Sequence, residues 1–503
     1  MTDIQTQSDE KNINILFILN MRVKWIINEE YIIMNKLIKA LGDSNPITTQ
    51  CYGADPYALV YNDTVYIYMT ADAYEYDENG DIKENSYSKI RSIRVVSTKD
   101  FKNFEDHGEI PVAGEDGIAK WAHNSWAPAA AHKKIGGKEK FFLYFADNGG
   151  GIGVLSADSP IGPFEDPLGH GLITRSVPTC DRVAWLFDPA VLTDDDGTGY
   201  IYFGGGVPDG KFAHPGTGRC AKLGADMISL DGDPVEMDTP YLFEDSGIHK
   251  FKDKYYYSYC SNFNVDEAGT KEYGFVNGEI CVMESDKPLG PFKFKERILE
   301  NPEKYCGLGG NNHHAVFSFN NEWYIVYHSR MLEKSLNVEH GYRATSVEKF
   351  EIADDGSIGT IVQTHEGPKQ LVYVDPFKDN SAVCVSEMRG AVSVPENTDN
   401  GYGKMVLNKS DSDAFICVTG VDFGSKAVSS LTVNACVPAG HKGTVRVYAD
   451  DLSSSPMAAI DLTGSGNAYK DFKAGVNEKI SGVHNLVFVF EGDNVTVKSW
   501  KFA

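Results

Sequence analysis

Phe187-Asp188-Pro189-Ala190-Val191-Leu192, followed after a polar turn by Gly199-Tyr200-Ile201-Tyr202-Phe203, is the stretch from which the fold of this chain is read. A site-type residue stands at the head of a short apolar strand, and Asp194-Asp195-Asp196-Gly197 turns the chain into a second, aromatic-rich strand. Gly197 suits a hairpin that needs a positive φ, and the three aspartates lack the ligand spacing of a calcium loop. The pattern recurs. Ala54-Asp55-Pro56-Tyr57 pairs with Val65-Tyr66-Ile67-Tyr68, Trp126-Ala127-Pro128-Ala129 with Phe141-Phe142-Leu143-Tyr144-Phe145, Phe243-Glu244-Asp245-Ser246 with Tyr255-Tyr256-Tyr257-Ser258-Tyr259, and His313-His314-Ala315-Val316 with Trp323-Tyr324-Ile325-Val326-Tyr327. A second half-repeat follows in three units, at Ile93 to Ser97, Ile152 to Phe164 and Ile280 to Phe292.

Two strand pairs per unit make about four strands, the content of a propeller blade, and five units make five blades. Past residue 373 the repeat is lost, and short alternating strands such as Gly443-Thr444-Val445-Arg446-Val447-Tyr448 and Asn485-Leu486-Val487-Phe488-Val489-Phe490 are separated by Gly, Asn, Asp and Ser. The expected fold is therefore all-β, a five-bladed β-propeller over residues 45–373 followed by a β-sandwich over 374–503, with residues 1–44 as an N-terminal extension. Met34 to Gly42 reads as helix-like, and residues 1–33 as an upstream extension without a structural role.

Composition narrows the function. A net charge of −24, from 47 basic and 71 acidic residues, repels phosphate backbones and anionic membranes, which leaves a neutral ligand as the expected partner and excludes nucleic acid and membrane. Nine scattered cysteines, an odd number without a Cys-x-x-Cys pair, argue against a disulfide framework or zinc site and fit free thiols in a reducing compartment. The apolar run at 13–20 follows Asp9 and Glu10, leads to no small-residue cleavage site and is too short to cross a bilayer, so the expected location is cytoplasmic.

Equivalent positions of a propeller meet near one axis, so Asp55, Asp188 and Glu244 are expected to converge there. Paired carboxylates are the equipment of glycoside hydrolysis, in which one deprotonates water and the other, protonated, delivers a proton to the leaving oxygen. Asp245 is the other candidate for the acid.

Gly53-Ala54-Asp55-Pro56, Ser125-Trp126-Ala127-Pro128, Phe187-Asp188-Pro189-Ala190, Phe243-Glu244 and Asn312-His313 with Tyr327-His328 stand in the order of a known family. The chain resembles glycoside hydrolase family 43 followed by a module similar to a family 6 carbohydrate-binding module. The resemblance implies an inverting exo-hydrolase of arabinoxylan-derived oligosaccharides, an α-L-arabinofuranosidase with possible β-xylosidase activity. The rivals are an endo-arabinanase-like hydrolase and a non-catalytic sugar-binding propeller. By the same resemblance Asp55 is the general base, Glu244 the acid and Asp188 the residue that tunes it. Trp126, Phe187 and Arg343 are substrate-binding candidates, against blade packing for the rings and a surface ion pair for the arginine. His313 faces an axial hydrated Ca²⁺, against a core histidine bonded to backbone. In the C-terminal module only Tyr402 and Tyr469 suit a sugar platform, so packing against the propeller is the favoured role there.

Overall fold

A computed structural model describes residues 37–396, 405–409, 414–466, 468–477, 479–492 and 495–503. The described chain is all-β, its few helices no longer than Glu267–Tyr273. Five antiparallel sheets form in chain order. The first holds Ala54–Tyr61, Thr64–Thr70, Ser92–Thr98 and Phe104–Pro111, and the fifth has three strands, His314–Phe319, Glu322–Ser329 and Ala344–Phe350. The opening strands of the sheets, Ala54–Tyr61, Trp126–Ile135, Ala190–Thr193, Leu242–Phe251 and His314–Phe319, lie one against the next, and the last lies against the first.

The aromatic second strands explain how neighbouring sheets stay together. Tyr68 Oη donates to Pro160 O, Tyr144 Oη to Met227 O and Tyr202 Oη to Pro288 O, each at 2.6 Å and each reaching the following unit. A buried phenol needs an acceptor, and these repeated tyrosines combine ring burial with a bond across the seam. The ring of sheets is closed by the chain entering it. Ile47 N–H donates to Thr345 O, while the buried Asn45 side chain donates to Val347 O and Thr364 O and accepts from Val347 N–H.

Two further sheets enclose a separate core that includes Ile416, Val433, Val445, Phe488 and Trp500. This C-terminal unit is stitched to the first sheet. Cys384–Val385 pairs with Phe104–Pro111, and Asn103 exchanges hydrogen bonds with the backbone of Thr419. Residues 37–42 form turns rather than the helix expected from Met34 onward; the start of that segment lies outside the described residues. Leu37 and Leu41 pack against Phe415, Tyr448 and Val487 of the C-terminal unit. Lys39 is buried beside Glu387, with Nζ donating to Ser44 O and Pro46 O. All nine cysteines are free thiols. No helix among the described residues is long and apolar enough to cross a membrane.

Candidate active site

The opening strands deliver their functional residues through a shared backbone irregularity. The pairing of Ala54–Tyr61 with its neighbour slips between Ala54 and Tyr57, that of Trp126–Ile135 between Trp126 and Ala129, and that of Leu242–Phe251 between Glu244 and Gly247. Each slip carries a residue in the left-handed region: Asp55 at φ 47°, Ala127 at 39° and Asp245 at 67°, with Asp188 at 50° just before its strand. Left-handed conformations cost non-glycine residues about 1–3 kcal/mol each and persist only where the surroundings enforce them. Here they are enforced by bonds across the ring. Asp55 N–H donates to His328 Nδ1, Ala127 N–H to Thr70 Oγ1, and Asp245 N–H to Asp188 Oδ2.

This geometry corrects the register read from sequence. Asp55, Ala127, Asp188 and Asp245 are the equivalent positions, and Glu244 shares instead the position of Trp126 and Phe187, one residue earlier. The alternation of the strands hid the difference because a bulge adds a residue without changing the apolar pattern after it.

Seven side chains picked out in the sequence nevertheless line one cavity of about 110 Å³: Asp55, Asp188, Glu244, Trp126, Phe187, His313 and Arg343. Tyr87 and Asn311 complete it. At about 30 Å³ per liquid water this holds the equivalent of roughly four waters, the scale of one sugar ring rather than a chain. Gly205 makes the wall possible, because a Cβ there would stand 2.5 Å from Phe243 O and 2.9 Å from the Phe187 ring. Outward from Phe187 runs a row of rings, Trp185, Phe243 and Phe263, with successive centroids 5.2–5.5 Å apart. Trp185 is 38% exposed, so the row reaches solvent.

The carboxylates occupy opposed electrostatic settings. Asp55 accepts from Arg343 Nη1 at 2.8 Å on one oxygen and from Thr70 Oγ1 at 2.7 Å on the other. Burial pushes its carboxyl up, but Arg343, His328 and His313 together outweigh burial and hold it far below the usual carboxylate range. Glu244 has no such partner. Its Oε1 is buried without a hydrogen bond, and burial first, then the charges of Asp188 and Asp55, drive its carboxyl well above the usual range. Asp188 is raised as well, by burial and by Asp55, so Asp188 and Glu244 resist losing both their protons. One cavity is thus lined by a carboxyl whose surroundings favour the ionised form and another whose surroundings favour the protonated form.

Arg343 is not at the surface. Its Nε and Nη2 grip both oxygens of Asp72 and its face lies 4.7 Å from the Tyr87 ring centroid, whose backbone carbonyl in turn accepts from Trp126 Nε1. Sequence reasoning missed Asp72, Tyr87 and Asn311, weighed Asp245 only as an alternative acid, and gave His328 no role. His328 at least stood with Tyr327 among the residues that carry the resemblance; Asp72 and Tyr87 sit in a loop outside any repeat.

The hydrated calcium ion implied by the resemblance would find few protein donors here. Calcium takes about six to eight oxygen ligands, whereas His313 offers one imidazole whose Nε2 lies 3.1 Å from Asp245 Oδ1 and whose Nδ1 lies 3.6 Å from Asp55 Oδ1. Those carboxylates are already bonded to His314, Arg343 and Thr70. Among the described residues no cluster of three or more His, Cys, Asp or Glu is arranged to hold a metal. These residues form no cage of protein oxygens; an ion beside His313 would be held chiefly by water, and no chemistry is derived through one.

In the C-terminal unit Tyr469 is half-buried, with Lys498 Nζ 5.7 Å from its ring centroid, and Tyr402 lies outside the described residues.

A carboxylic acid kept protonated opposite a fixed carboxylate is the working pair of a glycosidase, and comparison with known proteins gives the same class. Residues 44–358 match the model of glycosyl hydrolases family 43 and residues 381–503 that of carbohydrate binding module family 6. The chain belongs to glycosyl hydrolases family 43. It is 44% identical over 485 residues to an arabinoxylan arabinofuranohydrolase of Paenibacillus polymyxa, covering 93% of this chain and 75% of that protein. It is 43% identical over 471 residues to one of Bacillus subtilis (strain 168), covering 91% of each. The crystal structure of a family 43 arabinoxylan arabinofuranohydrolase from Bacillus subtilis in complex with cellotetraose superposes with a TM-score of 0.87 at 41% identity, over 93% of this chain and 99% of that one.

Proposed function

We propose that this glycosidase is an inverting, exo-acting α-L-arabinofuranosidase of arabinoxylan-derived oligosaccharides, built as a five-bladed β-propeller with a C-terminal β-sandwich. The observation that carries the reading is the small cavity that Asp55, bonded to Arg343 and Thr70, shares with Glu244, whose buried Oε1 has no hydrogen-bond partner. A cavity of one-ring size suits removal of a terminal or side-chain pentose, and the ring row from Phe187 to Phe263 offers the rest of the oligosaccharide an apolar ledge. The names of the two relatives described above favour arabinofuranose, with xylose as the second pentose to try.

In this reading Asp55 accepts a proton from water as the water attacks the anomeric carbon. Glu244 gives its proton to the departing oxygen, and Asp188 keeps that proton on Glu244 until the bond breaks. Arg343 fixes Asp55 and has N–H groups to spare for a sugar hydroxyl. Nine free thiols support a cytoplasmic location.

The test is stereochemical. Proton NMR of the first product formed from an aryl α-L-arabinofuranoside is expected to show the inverted anomer, and a retained anomer would overturn the water-mediated role of Asp55. Parallel rates on the aryl β-D-xylopyranoside decide the pentose.

A second expected result concerns pH. The acid must be protonated to work, so activity falls on the alkaline side as Glu244 loses its proton. Asp188→Asn removes one of the charges that hold Glu244 high, so the alkaline limb of the kcat/KM profile is expected to move to lower pH. Burial, the larger cause, remains, so the displacement is partial. Activity lost equally at every pH would instead make Asp188 a substrate-positioning residue.

A further inference from the structure

The site holds a further buried carboxylate, weighed in the sequence only as an alternative acid, to which the chemistry above assigns no part. Asp245 is fully buried and stands in the position of Asp55 and Asp188 on its own sheet. Its Oδ2 lies 2.5 Å from His314 Nδ1, and His314 Nε2 lies 2.7 Å from Ser258 Oγ. Its Oδ1 lies 3.1 Å from His313 Nε2, and the far nitrogen of His313 faces Asp55 and Asp188 at 3.6 and 3.8 Å. Its backbone N–H is bonded to Asp188 Oδ2 at 2.9 Å. Asp245 therefore joins the fourth sheet to the fifth through both histidines, and to Asp188 through its backbone.

Space around this junction is reserved for it. Gly247 has no room for a side chain, because a Cβ would stand 2.4 Å from Ser258 Oγ and 2.9 Å from His314 Nε2. The serine and histidine thus close over the bulge that bears Glu244. That bulge contains a left-handed aspartate, and Glu244 itself makes no hydrogen bond through its buried Oε1. Nothing bonded to Oε1 aims the Glu244 side chain, so its direction depends on the backbone beneath it. On its N-terminal side that backbone is held by the pairing of Glu244 with Cys260 and by Gly206 N–H on Phe243 O; on its C-terminal side, where the bulge lies, the hold is the next residue.

We propose that Asp245 is a positioning residue for Glu244: by gripping His313 and His314 it pins the bulge that points the acid into the cavity. The proposal rests on Glu244 being the acid. Misplacing a catalytic group by about 1 Å costs on the order of 100-fold in rate, and a misplaced acid costs most where the leaving group needs a proton.

The experiment measures kcat and KM for Asp245→Ala and Asp245→Asn on an arabinoxylo-oligosaccharide, whose leaving group is poor, and on an activated nitrophenyl arabinofuranoside, with Glu244→Ala beside them. Asp245→Ala is expected to lose about 100-fold in kcat on the oligosaccharide but only a few-fold on the aryl glycoside, with KM little changed. Asp245→Asn, whose amide oxygen still accepts from His314 and keeps the shape, is expected to recover most of the loss. His314→Gln removes the same grip from the other side and carries the test if Asp245→Ala is insoluble. Equal losses on both substrates in the Asp245 and His314 variants, with Glu244→Ala selective, would overturn the positioning role alone. Equal losses for Glu244→Ala would overturn the acid assignment, and the proposal with it.

Discussion

Asp55→Asn is expected to lower kcat by about 1,000-fold or more on aryl and natural arabinofuranosides alike, because no other group in the cavity is held ionised where water can be activated. The amide is nearly isosteric with the carboxylate and still accepts from Thr70, and Asp72 continues to neutralise Arg343 through its two bonds. The fold is therefore expected to survive, with a melting temperature within a few degrees of the parent. Loss of activity without loss of stability is the signature sought by pairing steady-state kinetics with calorimetry. Retention of a tenth or so of the parental kcat would mean that Asp55 serves the site electrostatically and that another group handles the water.

Glu244→Ala is expected to show the second large effect, and a selective one. On an oligosaccharide the departing oxygen must be protonated, so kcat falls by about 1,000-fold; on a nitrophenyl glycoside, whose leaving group departs unaided, the loss shrinks to within about tenfold. The alkaline limb of the pH profile should vanish on the activated substrate because the group whose deprotonation causes it is gone. Burial, Asp188 and Asp55 all raise the Glu244 carboxyl, so in the parent that limb lies above the ordinary carboxylate range. A uniform loss on both substrates would exclude Glu244 as the proton donor.

Much of this was legible from the chain because repetition multiplies weak signals. One Asp-Pro before an apolar run is an ordinary turn; recurring units of the same kind, each leading to an aromatic strand, define sheets and bring their leading residues together. The cavity accordingly gathers Asp55, Asp188, Glu244, Trp126, Phe187, His313 and Arg343 as expected. What the sequence hid lies at the level of single peptides and of loops. The left-handed bulge that sets Asp245, not Glu244, in step with Asp55 leaves no compositional mark, since aspartate and alanine both occupy it. Asp72 and Tyr87 come from the loop after Thr64–Thr70, where no periodicity reports on position; their place is fixed only when Arg343, far along the chain, arrives between them. Arg343 is buried for the same reason, in place of the surface ion pair that was its alternative.

The short stretch that enters the ring of sheets is also where the two parts of the molecule are locked. Between Leu37 and Ile47 the chain offers Leu37 and Leu41 to the C-terminal core, sinks Lys39 beside Glu387, and then closes the first part through Asn45 and Ile47. The carbohydrate-binding-type module is consequently no detachable appendage on a tether. Cutting it away would strip the apolar cover from the segment that also seals the catalytic ring, so a truncated enzyme inherits an open seam rather than a free edge. Exchange of this module for another in the course of evolution or engineering must carry the entering segment with it, because the unit of inheritance here is the clasp together with both halves it fastens.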